Sequence, residues 1–280
     1  MTTAYHQPTR LDEALKLVAK GAQPVAGATA LFSGRSRPEG DLVDVTRLGL
    51  SSLAVEPGRA VLGAACTLAQ ISDAESLPGM EGALLRRAAR AVGSRPLRNA
   101  ITLGGNVAHV AFWADMPVVL LALDAAVEVQ RAGEPIHTCP LADCLKAGKR
   151  PWEGGLITRV VVSLRKETCG FGYERFARTA NDYPFATLCV TLKREGSLAR
   201  EVRVVVGALQ PRPFRVTEVE AMVEGKAFDL ALVEACGKKL SGIVPVAPNF
   251  RASAEYRKEL AGVLVRRALQ SAFTWAMREA

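Results

Sequence analysis

The sequence predicts an α+β fold. Three strand-like segments follow one another at 171–178, 186–193 and 202–208, with the alternation clearest at Val202, Val204 and Val206. Helix-forming segments then take over, the longest covering 253–278. Before residue 167, short strands and short helices are mixed. Strands followed by helices, without regular strand–helix alternation, is an α+β pattern.

The elements can be justified in order. Thr9 to Asp12 has the spacing of a capping box, with Asp in place of Glu, and Leu11, Leu15 and Val18 repeat at helical spacing until Gly21 stops them. Residues 43–45, 53–55 and 60–64 read as short strands, the last two joined by Glu56-Pro57-Gly58-Arg59. Thr67 with Gln70 makes a second capping box before a short helix. Leu84, Leu85, Ala88 and Val92 give the next helix an apolar stripe. Residues 127–130 and 135–137 flank a Gly133 turn as a hairpin, and 156–164 is a strand with three consecutive valines. After the three strands, Thr217 with Glu220 suggests a third capping box, and 230–240 is helical. A domain boundary is expected at 166/167. It divides 1–166, with subdomains of about 1–78 and 79–166, from 167–280.

Composition narrows the function. The 280 residues are 49% hydrophobic, enough for a sizeable core. No N-terminal signal-like segment and no run near the roughly 18 apolar residues of a membrane span is visible, which predicts a cytoplasmic protein. The formal charge is +8, but the basic residues are dispersed along helices and no nucleic-acid motif accompanies them. The six cysteines form no C-x-x-C pair, so structural thiols are expected and no resident metal. Cys139 and Cys144 are the only close pair in sequence. No nucleophile with a partnered base is evident, so no catalytic residue is assigned.

Two loops carry the chemistry. In the first, Ala26, Gly27, Ala28, Thr29, Ala30 and Leu31 follow a short apolar strand. Small residues let such a loop lie against a ligand, and Thr29 can donate to it. In the second, Thr102 precedes Gly104 and Gly105, and Asn106 follows. Adjacent glycines allow close backbone approach to an anion; they also suit a tight turn. Downstream, Asp115 has the alternatives of a ligand carboxylate or an N-cap before Pro117. Tyr183, taken by itself, reads equally well as a core residue. His109 has the alternatives of a ligand-edge or a structural histidine.

These residues, taken together, resemble the flavoprotein subunit of the molybdenum hydroxylases, the xanthine dehydrogenase and carbon monoxide dehydrogenase group. Tyr5-His6-Gln7-Pro8-Thr9 is similar to that family's opening segment, and Ala26-Gly27-Ala28-Thr29-Ala30-Leu31 to its first loop. Leu97-Arg98-Asn99-Ala100-Ile101-Thr102-Leu103-Gly104-Gly105-Asn106 is similar to the second. Asp115-Met116-Pro117, Asp182-Tyr183 and Arg251-Ala252-Ser253-Ala254-Glu255-Tyr256-Arg257 follow in family order.

The resemblance implies a two-subdomain FAD-binding domain of the vanillyl-alcohol-oxidase-like type, then a three-stranded antiparallel C-terminal domain with packed helices. It implies noncovalent FAD, with its pyrophosphate on the two loops and Asp115 and Tyr183 near the cofactor. Iron–sulfur clusters and the molybdenum cofactor would lie on partner subunits, with NAD+ or oxygen as electron acceptor. A stand-alone FAD-dependent oxidoreductase and a structural subunit that has lost FAD are the alternatives. The chain departs from the family at Ala28, where a second glycine is usual, and at Ala30, where an acid is usual. A methyl group at residue 28 demands negative φ or strain.

Overall fold

The computed structural model describes residues 2–32, 38–146, 150–247 and 251–278. The first elements are β1 (Thr2–His6), α1 (Leu11–Ala19), β2 (Gln23–Val25), β3 (Gly40–Asp44), β4 (Leu53–Glu56), β5 (Arg59–Gly63) and α2 (Leu68–Ser72). Then come α3 (Gly79–Arg90), α4 (Arg95–Ala100), α5 (Leu103–His109), α6 (Met116–Ala122), β6 (Ala126–Gln130), β7 (His137–Pro140), α7 (Leu141–Lys146) and β8 (Leu156–Ser163). The chain ends with β9 (Cys169–Phe176), β10 (Ala186–Glu195), β11 (Leu198–Gly207), β12 (Phe214–Arg215), α8 (Thr217–Val223), α9 (Leu230–Ile243) and α10 (Ala254–Arg278). The α+β class is as the sequence predicts.

These elements form two compact units. One comprises Met1–Ala74, Ser94–His109 and Asp124–Ser163; the other comprises Glu75–Gly93, Val110–Leu123 and Leu164–Ala280. The chain therefore changes unit several times before the 166/167 boundary drawn from sequence. The reason is burial. Every residue of α6 is buried, so this helix needs cover on all sides. It lies against β10 and β11, and Thr191 Oγ1 donates to the Ala122 carbonyl at 2.9 Å.

The first unit holds two sheets. Strands β1, β3 and β2 pair in parallel in that order. The second sheet is antiparallel with strand order β4-β5-β8-β6-β7. In β6, Val127 and Val129 point into the core while their neighbours are half-exposed, the alternation that a sheet with one covered face requires.

The second unit is built on one antiparallel sheet with strand order β12-β11-β10-β9. The expected three strands are present, and the two-residue β12 adds a fourth beside β11. Two residues carry no periodicity, so sequence could not reveal it. Helix α10 lies along β9 and β10, with α9 packed on it. Gly172 permits this approach: a Cβ there would sit 1.9 Å from the Ala268 carbonyl oxygen.

Only one predicted capping box forms. Thr67 Oγ1 accepts from the Gln70 N–H at 3.2 Å, and Gln70 Oε1 accepts from the Thr67 N–H at 2.8 Å. At α1 the cap is Arg10, without a side-chain bond, because Asp12 is held by the Arg10 guanidinium. At α8 the cap is Val216, and Glu220 instead accepts from Arg215 and from the Val204 N–H. Asp12 and Glu220 each have both carboxylate oxygens engaged by a guanidinium, which competes with a cap.

Candidate functional site

The two sequence loops meet within the first unit. Gly27 is the point of contact: a Cβ there would lie 1.5 Å from the Ala100 carbonyl oxygen. Only a residue without a side chain lets the loop at 26–31 reach the end of α4. That loop turns back on itself through the Phe32 N–H, which donates to the Ala28 carbonyl at 3.1 Å. Ala26, Gly27, Ala28, Thr29, Ala30 and Leu31 all remain partly exposed.

The second loop is held from below. Thr67 and Thr102 form an isolated bridge, and the Leu68 N–H donates to the Ile101 carbonyl at 2.9 Å. The Leu103 and Gly104 N–H groups donate to the Cys66 and Ala64 carbonyls, both at 2.8 Å. Gly104 is buried, and a Cβ there would meet Ala64 Cβ at 2.7 Å. Its role is thus to seat the loop on the strand end. Its N–H is already engaged by the Ala64 carbonyl, as the tight-turn alternative has it.

Gly105 differs. It is exposed, and a Cβ there would meet only Thr102 Oγ1, at 2.8 Å. Thr102 is itself buried and accepts from the Gly105 N–H at 3.3 Å. It orders the turn. Asn106 places a buried Oδ1 beside it with no hydrogen-bond partner. A buried polar atom without a partner costs about 1–3 kcal/mol, so it marks where a ligand group fits. A glycine without a side chain and a small-residue loop in contact suit the close approach of a dinucleotide pyrophosphate, while the Asn106 amide oxygen, an acceptor, suits a hydroxyl or N–H donor elsewhere on such a ligand.

Ala28 departs from the usual backbone as well as from the family. Its φ is +59°, the left-handed region that costs an L-residue roughly 1–2 kcal/mol. Ala28→Gly is therefore expected to raise stability by about 1 kcal/mol, or roughly 2–4 °C in Tm. Thermal unfolding followed by circular dichroism checks this, and an unchanged or lower Tm counts against the strain.

Asp115 and Tyr183 belong to the second unit. Asp115 stands at the N-cap of α6, yet its side chain caps nothing. Its Oδ1 accepts from Thr187 at 3.0 Å and its Oδ2 from Arg175 at 3.1 Å. It is 3% exposed, and burial pushes its carboxyl up against the opposing pull of Arg175 and Thr187. Arg175 donates in turn to the Asp182 carbonyl at 2.6 Å.

Tyr183 is 46% exposed, which removes the core-residue alternative. Its ring meets Trp113 at 4.4 Å between centroids, and the Arg251 guanidinium lies 4.9 Å from it. Phe112 packs edge-on to Trp113 at 4.6 Å, so these two aromatics extend the Tyr183 cluster. His109 is exposed at the end of α5. At the C-terminus, Phe273 is buried against Phe228 and Trp275 packs on Phe171. Met277, in the last turn of α10, is exposed.

Similarity to known proteins identifies the class as an FAD-binding subunit. Residues 1–162 match the FAD binding domain in molybdopterin dehydrogenase, and residues 171–272 match the carbon monoxide dehydrogenase flavoprotein C-terminal domain. The chain belongs to this flavoprotein family of the molybdenum hydroxylases. It is 27% identical to the carbon monoxide dehydrogenase medium chain of Hydrogenophaga pseudoflava, over 97% of this chain and 96% of that one. It is 29% identical to the glyceraldehyde dehydrogenase medium chain of Sulfolobus acidocaldarius, over 67% of this chain and 66% of that one. Among solved structures, carbon monoxide dehydrogenase from Hydrogenophaga pseudoflava lacking the Mo-pyranopterin moiety superposes with a TM-score of 0.89 at 26% identity, covering 98% of each chain. The relatives are oxidoreductase subunits, so this chain is one by family.

Among the described residues, no group of three or more His, Cys, Asp and Glu side chains is placed to hold a metal ion. No described helix is long and apolar enough to cross a membrane.

Proposed function

We propose that this chain carries electrons within a molybdenum hydroxylase, from an iron–sulfur subunit to NAD+, oxygen or another acceptor. The observation that carries the reading is the meeting of two small-residue loops through Gly27 and Ala100 beside the unpartnered Asn106 amide. When bound, FAD supplies the redox chemistry, accepting single electrons and giving up a pair. The chain's residues supply its position. The loop at 26–31 offers backbone to the pyrophosphate, with Thr29 as a hydroxyl donor, and Gly105, lacking a side chain, leaves room for it. Thr102 and Gly104 hold that backbone in place, and Asn106 Oδ1 accepts from the ligand. Asp115 and Tyr183 keep the cofactor role that the family pattern gives them, Asp115 by fixing Arg175. We take 1–166 as the FAD domain and 167–280 as the C-terminal domain.

Substrate choice belongs to the molybdenum subunit on this reading. Native mass spectrometry of the protein from its own cells is expected to show a complex holding flavin, iron and molybdenum, with the three subunits in equal number. Acid precipitation should release the FAD into the supernatant, since it is held noncovalently. An isolated oligomer that oxidises substrate without iron or molybdenum would establish the stand-alone oxidase. A complex that holds iron and molybdenum but no flavin would establish a structural bridge instead.

A further inference from the structure

The end of β7 and the second turn of α7 bring two thiols together. Cys139 Sγ and Cys144 Sγ stand 2.7 Å apart. Cys139 is partly exposed and Cys144 is buried. The geometry is that of a dithiol in which solvent reaches one sulfur and the other waits behind it. The remaining four cysteines, Cys66, Cys169, Cys189 and Cys236, are all buried.

We propose that Cys139 and Cys144 are a reversible oxidation site, closed by hydrogen peroxide to an intramolecular disulfide. Peroxide first transfers one oxygen to Cys139 Sγ, giving the sulfenic acid and one water. Cys144 Sγ then attacks that sulfur; the S–S bond forms and the S–O bond breaks. The hydroxyl leaves with the Cys144 thiol proton as a second water. In sum, two thiols lose two electrons and two protons, and one peroxide becomes two waters. A dithiol reductant reverses the reaction by thiol exchange.

The order of events follows from the surroundings. Burial and the adjacent Cys139 thiol push Cys144 up to about 12, so it does not meet peroxide first. Burial likewise pushes Cys66 and Cys236 up to about 11, which makes them poor nucleophiles. The bond would fasten β7, the edge strand of the five-stranded sheet, to α7. This site lies outside the flavin loops, and its test does not depend on FAD.

The experiment treats the intact protein with hydrogen peroxide, quenches it, unfolds it and alkylates the free thiols. Intact mass is expected to show two fewer labels than the six of untreated protein, with Cys139 and Cys144 in one cross-linked peptide. Dithiothreitol before labelling should restore all six. In Cys144→Ser, Cys139 should instead accumulate as a sulfenic acid that dimedone traps. Full labelling after peroxide, or direct passage of Cys139 to the sulfinic acid in wild type, would overturn the proposal. So would a disulfide found only between two chains.

Discussion

Gly27→Ala is expected to abolish FAD binding and to destabilise the first unit by about 3 kcal/mol, the upper end of ordinary overpacking. The added methyl would lie 1.5 Å from the Ala100 carbonyl oxygen, a backbone atom that cannot rotate away. The loop at 26–31 must then move off α4, and the two halves of the phosphate cradle separate. Gly105→Val is the informative partner. A Cβ at 105 meets only the Thr102 hydroxyl, at 2.8 Å, so the fold should survive with a small rotation. Flavin should still be lost, because the valine would fill the space proposed for the pyrophosphate. Flavin content, flavin fluorescence and thermal unfolding of the two variants separate these effects. Full FAD content and an unchanged Tm in Gly27→Ala would show that the loops do not meet as described.

Arg257→Ala is expected to cost about 4 kcal/mol or more, the largest stability effect of any single truncation considered. Arg257 is 1% exposed in the core of the second unit. Its guanidinium donates to three backbone carbonyls: Phe185 at 3.2 Å, Ala247 at 2.7 Å, and Ala208. Burial, with the nearby Arg251 charge, lowers its basicity, so the site tolerates the cation only through those carbonyls. Truncation leaves two buried acceptors and one half-buried acceptor without this partner, and a cavity beside them. Arg257→Lys should recover part of the loss, since one ammonium cannot match three divergent acceptors. Arg257→Met should recover volume but not the hydrogen bonds. Urea unfolding followed by tryptophan fluorescence ranks the three. An Ala variant as stable as wild type would mean that the carbonyls find other partners at little cost.

Much of the candidate site is legible before folding. The residue types at 26–31 and 102–106 state that backbone must come close to something. They do not state to what. Gly27 is small for a carbonyl of the same chain, and Gly104 for Ala64, while a Cβ at Gly105 would meet only the Thr102 hydroxyl. Identical residue types therefore have different causes, and only the packing around each distinguishes them. Asp115 shows the same limit. Its place before Pro117 marks a helix start, but Arg175 and Thr187 come from strands far along the chain.

The sequence by itself determined the α+β class, the order of most strands and helices, and the family, because periodicity, turn residues and ordered motifs are local properties. It also determined the Thr67 capping box, whose two partners lie three residues apart with no competitor. The tertiary structure decided that the Thr9 and Thr217 boxes stay open, that α6 joins the C-terminal sheet, and that Ala28 takes a positive φ. Each of these turns on a competing charge, a buried face or a close backbone contact. Such partners are brought together by folding, and their energies exceed the local preference that the sequence displays.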